Sequence, residues 1–109
     1  MTNLIYANEE NFEEKIKSSE IPVIVDFYAD WCMPCKMMGP VFEELSSEYK
    51  DKLKFAKINT EESPKIAGKF EIRSIPSLII IKDGKEVSRL MGFMDKDALK
   101  EKLGQLIRK

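Results

Sequence analysis

Apolar residues in this 109-residue chain follow two patterns that alternate along its length. Short runs of β-branched and aromatic residues are typical of strands, whereas apolar residues three or four positions apart are typical of one helix face. After a short N-terminal strand, further strands are predicted at residues 22–29, 53–58, 77–81 and 86–91. Helices are predicted at residues 8–18, 35–49, 63–70 and 95–107.

Several single residues mark where these elements begin, turn or bend. Asn8 and Asp95 can cap the first and last helices, and Asp83-Gly84 predicts a tight hairpin turn. Pro40 lies inside the helix at 35–49 and is expected to kink it. The resulting order βαβαβαββα predicts an α/β fold, a three-layer α/β/α sandwich with four helices on a central mixed β-sheet of about five strands.

The length and charge of the chain narrow its function class. A chain of 109 residues supports one domain, assigned to residues 1–109. Its formal net charge of −1 argues against nucleic acid or an anionic membrane as a partner. No apolar run approaches the ~18–20 residues of a membrane span, and the first residues lack a basic segment typical of a signal peptide. We therefore expect a cytoplasmic protein.

The chain contains two cysteines and no histidine. The lack of histidine excludes catalysis by an imidazole and any Cys₂His₂ metal site within one chain. A single Cys-x-x-Cys pair supplies only half of a Cys₄ zinc site, so no metal site within one chain is predicted. A zinc or iron–sulfur site shared between two chains stays an alternative, which metal analysis would settle.

The candidate chemistry lies at Trp31-Cys32-Met33-Pro34-Cys35, between the strand at 22–29 and the helix that follows. Sulfurs three residues apart at a helix N-terminus can reach each other. Free N–H groups there favour an anion and lower the pKa of Cys32 by up to roughly 1.5 units. Cys35, one turn further in, is expected to be more shielded.

The alternative is a disulfide that only stabilises the fold. A loop of about four residues gives such a staple only ~2 kcal/mol. The preceding strand and following helix favour a redox-active dithiol instead.

The segment Phe27-Tyr28-Ala29-Asp30-Trp31-Cys32-Met33-Pro34-Cys35-Lys36 resembles the active-site segment of the thioredoxin family. The resemblance covers essentially the whole chain. Further matches are Asp26, Pro40, residues 56–59, residues 72–78, Asp83-Gly84 and Met91-Gly92. It implies the thioredoxin fold. Met33 replaces the family's usual Gly, so Met33 and Pro34 are expected to tune the redox potential. Tyr28 stands where many members have Trp.

Two charged residues are candidates for proton transfer. Asp26 interrupts an apolar strand, and burial would raise its pKa toward neutrality, as a proton acceptor requires. The resemblance implies that Asp26 takes the proton of Cys35 through water. Lys57 shares strand parity with Leu53 and Phe55, so it is expected to point toward Asp26. A lysine extending from a strand end into solvent is the alternative.

Pro76 precedes a strand that is otherwise typical of a central position, where proline is poorly tolerated. The resemblance implies a cis bond between Ile75 and Pro76 that faces the cysteines; a trans proline opening the strand is the alternative. It also implies that the Ile75 backbone pairs with an extended substrate. The expected apolar contact rim comprises Trp31, Met33, Ile75, Met91, Gly92 and Phe93.

The predicted activity is that of a protein-disulfide reductase. The Cys32 thiolate attacks a substrate disulfide, and Cys35 resolves the mixed disulfide. The resemblance implies protein disulfide substrates and a flavin-dependent, NADPH-linked thioredoxin reductase as electron donor. We expect no cofactor bound to the chain itself, and a monomer. An oxidase or isomerase on the same fold, and a non-catalytic subunit role, are the alternatives.

Overall fold

The computed structural model describes residues 4–107, with side chains through Leu106. Five strands form one sheet in the order β1-β3-β2-β4-β5. They are β1 (Leu4–Tyr6), β2 (Val23–Tyr28), β3 (Lys54–Asn59), β4 (Ser77–Lys82) and β5 (Lys85–Met91). The first three run parallel, while β4 is antiparallel to both β2 and β5. The predicted mixed sheet is confirmed.

Four helices connect and cover the strands. They are α1 (Glu13–Lys17), α2 (Met33–Glu48), α3 (Pro64–Lys69) and α4 (Lys96–Ile107). Buried residues of α1 and α3 pack on one sheet face, and those of α2 and α4 pack on the other. This arrangement confirms the three-layer α/β/α sandwich. Among residues 4–107, no helix combines the length and the apolar character needed to cross a membrane.

Strand β2 lies in the centre of the sheet, between β3 and β4. Because side chains alternate along a strand, Val23, Val25 and Phe27 join the core under α1 and α3. Ile24 joins the core under α2 and α4, and Asp26 shares its side of the strand. Burial on both faces explains why Asp26 is the only charged residue of β2.

The first helix differs from its prediction. The Asn8 side chain accepts hydrogen bonds from the N–H groups of Glu10 and Asn11, at 2.9 and 3.0 Å. These are the bonds of the N-cap that the sequence predicted at Asn8, and the Phe12 N–H also donates to the Asn8 carbonyl at 3.0 Å. The regular helix spans only Glu13–Lys17. It is a π-helix, in which each N–H bonds to the carbonyl five residues earlier, as the Ser18 N–H does to Glu13. The predicted cap at Asn8 is confirmed, but residues 9–11 form turns, so the regular helix is shorter than the predicted residues 8–18.

Candidate active site

The junction between β2 and α2 positions the two cysteines. Cys32 is the N-cap of α2, and its sulfur accepts a hydrogen bond of 3.3 Å from the Cys35 N–H. The two residues form a disulfide, with Cα atoms 5.2 Å apart. Helix α2 begins at Met33, two residues earlier than predicted, so the redox pair spans its first turn.

Both cysteines are equally shielded, with 4 % of each residue exposed. The expectation that Cys35 would be the more shielded of the two was wrong. The reason is tertiary: Ala29 and Ile75 pack against the pair from outside α2. The Cys32 sulfur lies 3.8 Å from the carbonyl oxygen of Ile75.

Residues 71–76, called the substrate loop below, bring Ile75 to the disulfide. The peptide bond between Ile75 and Pro76 is cis, as the resemblance implied, and Pro76 is buried. The Gly92 N–H donates to the Pro76 carbonyl at 2.9 Å, and the Ser77 hydroxyl donates to the Ser74 carbonyl at 2.6 Å. The loop is thus tied to the ends of β4 and β5.

Asp26 is fully buried on β2. Neither carboxylate oxygen has a hydrogen-bond partner within the described part of the chain. Desolvation by burial raises the pKa of Asp26 to about 7, and the charge of Lys57 opposes this rise. An unpaired buried carboxylate is costly to ionise, which places its titration near neutral pH.

Lys57 pairs directly with Asp26 in the register of β2 and β3, on the side that its strand parity predicted. Its ammonium nitrogen lies 4.5 Å from the centre of the Tyr28 ring. This cation–π contact keeps a half-buried charge near Asp26. Tyr28, where many family members have Trp, supplies the aromatic face.

An open cavity of about 490 Å³ connects this region with solvent. It reaches the buried Cys35 from the side of the sheet where Lys57 lies. Its lining residues are Tyr28, Ala29, Asp30, Cys35, Lys36, Gly39 and Lys57. The cavity has room for the water through which a proton could leave Cys35.

Several of the expected rim residues are exposed apolar side chains. Trp31, Met33 and Met91 are about two-thirds exposed, at 66, 66 and 64 %, and Phe93 is also exposed. Gly92 adopts a positive φ of 87°, which favours glycine. Trp31 and Met33 adjoin Cys32 in the chain, and exposed apolar side chains beside a reactive group are typical of a docking surface.

Sequence reasoning missed Glu61, which holds one rim residue in place. The indole N–H of Trp31 donates to a carboxylate oxygen of Glu61 at 2.9 Å. Glu61 lies 30 residues away, in the turn after β3, and no local pattern connects the two positions. Among residues 4–107, no group of three or more His, Cys, Asp or Glu is placed to hold a metal ion.

A disulfide across the first turn of a helix that follows a buried strand defines a thiol–disulfide oxidoreductase. The thioredoxin family model matches residues 3–105. The chain belongs to the thioredoxin family.

Curated relatives agree with this assignment. Thioredoxin of Chlorobaculum thiosulfatiphilum is 45 % identical over 101 residues, which are 93 % of this chain and 94 % of the relative. Thioredoxin 1 of Nostoc sp. is 39 % identical over 103 residues, or 94 % and 96 % of the two chains. A chloroplastic M-type thioredoxin of Pisum sativum is 43 % identical over 100 residues, or 92 % and 58 %.

Proposed function

We propose that this protein is a general protein-disulfide reductase, which carries two electrons per cycle to client proteins. The observation that carries the proposal is the Cys32–Cys35 pair at the start of α2, beside the Ile75 carbonyl. Met33 and Pro34 lie between the two cysteines and set the potential of the pair.

Cys32 is the attacking group in the proposed cycle. Its sulfur lies at the helix N-terminus and accepts the Cys35 N–H, an arrangement that stabilises a thiolate. The thiolate forms a bond to one sulfur of the substrate disulfide, and the other substrate sulfur leaves as a thiolate. Cys35 then attacks Cys32, which releases the second substrate thiol and leaves the Cys32–Cys35 disulfide.

Asp26 accepts the proton that Cys35 must lose before it attacks. A pKa of about 7 is suited to this step near neutral pH. The cavity beside Cys35 supplies space for a water molecule that relays the proton. Lys57 acts by its charge, which favours the ionised form of Asp26 and so limits the rise in its pKa.

Substrate binds across the rim as an extended segment. In this proposal, the backbone of Ile75 next to cis-Pro76 pairs with the substrate chain around its cysteine. The apolar contacts come from Trp31, Met33, Ile75, Met91, Gly92 and Phe93. Backbone pairing gives affinity without demanding one client sequence, as a general reductase requires.

The proposed partners and cellular compartment are inferred from the resemblance to the thioredoxin family. Protein disulfides are the substrates, and an NADPH-linked thioredoxin reductase returns the electrons, so the chain itself needs no bound cofactor. We propose a monomer with one domain over residues 1–109, acting in the cytoplasm without nucleic acid or membrane as a partner. The compartment stays a prediction, since the relatives include chloroplastic proteins.

Single-cysteine variants test the two roles with insulin as substrate and dithiothreitol as electron source. We expect Cys32→Ser to be inactive, because the attacking sulfur is missing. Cys35→Ser, reduced beforehand and freed of dithiothreitol, should accumulate a mixed disulfide with insulin, because attack survives and resolution does not. Mass spectrometry of the trapped adduct measures this, with the double serine variant as the control.

Trapping by Cys32→Ser and not by Cys35→Ser would reverse the assignment of the two cysteines. A wild-type protein that fails to reduce insulin would contradict the proposed function itself. Equilibration with glutathione buffers distinguishes a reductase from an oxidase, since a reducing pair stays oxidised against reduced glutathione.

A further inference from the structure

The substrate loop begins at a tight chain reversal after α3. The N–H of Ile72 donates to the Ala67 carbonyl at 2.9 Å, and the N–H of Glu71 donates to the Gly68 carbonyl at 3.0 Å. This is a Schellman motif, in which Glu71 takes the left-handed position with φ 51°. A residue with a Cβ is disfavoured there. The reversal therefore needs support from elsewhere in the fold.

Arg89 on β5 supplies that support. Its guanidinium donates to the Phe70 carbonyl at 2.6 Å and to the Glu71 carbonyl at 3.5 Å. The other end of the loop, at Pro76, lies beside the end of β5. The Pro76 carbonyl accepts the N–H of Gly92, the residue that follows β5, at 2.9 Å. One strand thus holds both ends of the segment that carries Ile75.

Glu86 orients the guanidinium through two hydrogen bonds, at 2.8 and 2.9 Å. Residues three apart on a regular strand point to opposite faces. The β4–β5 register pairs Ile81 with Glu86 but Ile80 with Ser88, which leaves Val87 as an extra residue. This β-bulge resets the alternation, so Glu86 and Arg89 share one face.

We propose that Arg89, oriented by Glu86, is a positioning residue that holds the substrate loop in the conformation that presents Ile75 to an extended protein substrate. The role rests on the proposed function. Arginine suits it because the planar fork donates to carbonyls and carboxylate at once, whereas lysine offers a single point charge.

Replacement of Arg89 by methionine tests this role with two substrates of different size. Insulin presents an extended chain to the substrate loop, while the small aromatic disulfide DTNB does not. For Arg89→Met we expect KM for insulin to rise about fivefold, equivalent to about 1 kcal/mol, with kcat within about twofold. DTNB reduction should change by less than about twofold, since the cysteines are untouched.

Conservative and control variants separate positioning from charge and from stability. Arg89→Lys keeps the charge without the fork and should show an intermediate KM. Glu86→Gln weakens the hydrogen bonds that orient the Arg89 guanidinium and should also raise KM for insulin. Lys85→Met removes a cation at the other end of β5 and should leave both substrates unaffected. If Arg89→Met fails to fold, Arg89→Lys and Glu86→Gln decide the result.

An insulin KM within twofold of wild type in the folded Arg89 variants would overturn this role. Equal losses with insulin and DTNB would also overturn it, because they indicate a general structural effect. If wild type reduces insulin normally while the variants are unchanged, only the positioning role fails. A wild type that reduces neither substrate contradicts the proposed function as well.

Discussion

At the scale of single residues, Asp26 carries the clearest conflict between stability and chemistry. The side chain is fully buried, its oxygens find no hydrogen-bond partner among the described residues, and its pKa is raised to about 7. A stabilising structural carboxylate would instead have partners that lower its pKa. The cost of ionising Asp26 is consistent with the proposed proton transfer.

The folded state should therefore lose stability as the pH rises toward 7. Between the unfolded pKa near 4 and the folded pKa of about 7, only the folded state keeps the proton on Asp26. Relative to Asp26→Ala, wild type should lose about 2–3 kcal/mol of unfolding free energy from pH 5 to pH 8.5. Urea unfolding of both proteins at the two pH values measures this.

Asp30→Ala is the matched control, since Asp30 is an exposed aspartate four residues further along the chain. Its effect on the unfolding free energy should differ little between the two pH values. A constant difference between wild type and Asp26→Ala would mean that Asp26 does not titrate in this window.

At the scale of elements, helix α4 has a capped N-terminus and charged contacts with α2. The Asp95 carboxylate accepts the Ala98 N–H at 2.8 Å, as expected of an N-cap. Lys96 contacts Glu44 and Glu48 on α2, at 2.8 and 2.7 Å, and Lys100 contacts Glu48 at 3.0 Å. These pairs align α4 over the core, but exposed ion pairs contribute little stability.

Loss of the Asp95 cap should be measurable. Asp95→Ala leaves the Ala98 N–H without its partner and should lower the unfolding free energy by about 1 kcal/mol. Asp97→Ala is the control, because it removes a carboxylate from the same turn but not the cap. Chemical denaturation of both variants measures the difference, and equal losses would show that charge, not capping, is responsible.

At the scale of the whole molecule, both sheet edges are poorly suited to pairing with a second copy. Strand β1 has three residues, and β5 carries a bulge beside exposed Lys85 and Glu86. Short, bulged and charged edges disfavour strand addition between chains.

We therefore predict a monomer in both redox states. Light scattering coupled to size exclusion should give a mass near 12.6 kDa with and without dithiothreitol. A mass twice as large under reducing conditions would contradict the prediction. A dimer that is present without dithiothreitol and absent with it would indicate disulfides between chains.

The element order, the layers and the redox motif could all be predicted from the amino-acid sequence. The periodicity of hydrophobic residues and the helix-capping residues are local signals, because they depend on residues within a few positions of each other. The strand–helix junction at Cys32 and the buried charge at Asp26 could be predicted in the same way. The cap at Asn8 was also predicted from the sequence, whereas the short π-helix at Glu13–Lys17 was not, because the spacing of Phe12 and Ile16 fits an ordinary helix equally well.

Which distant residues contact the site depends on how the chain packs in three dimensions. Ile75 shields Cys32 from solvent, and Glu61 accepts the hydrogen bond that orients the Trp31 indole. Arg89 anchors the start of the substrate loop. These contacts join residues far apart in the chain, so no periodic pattern records them. They form because packing the two helical layers onto one sheet brings these loops and strand ends together, and a single β-bulge changes which side chains share a face.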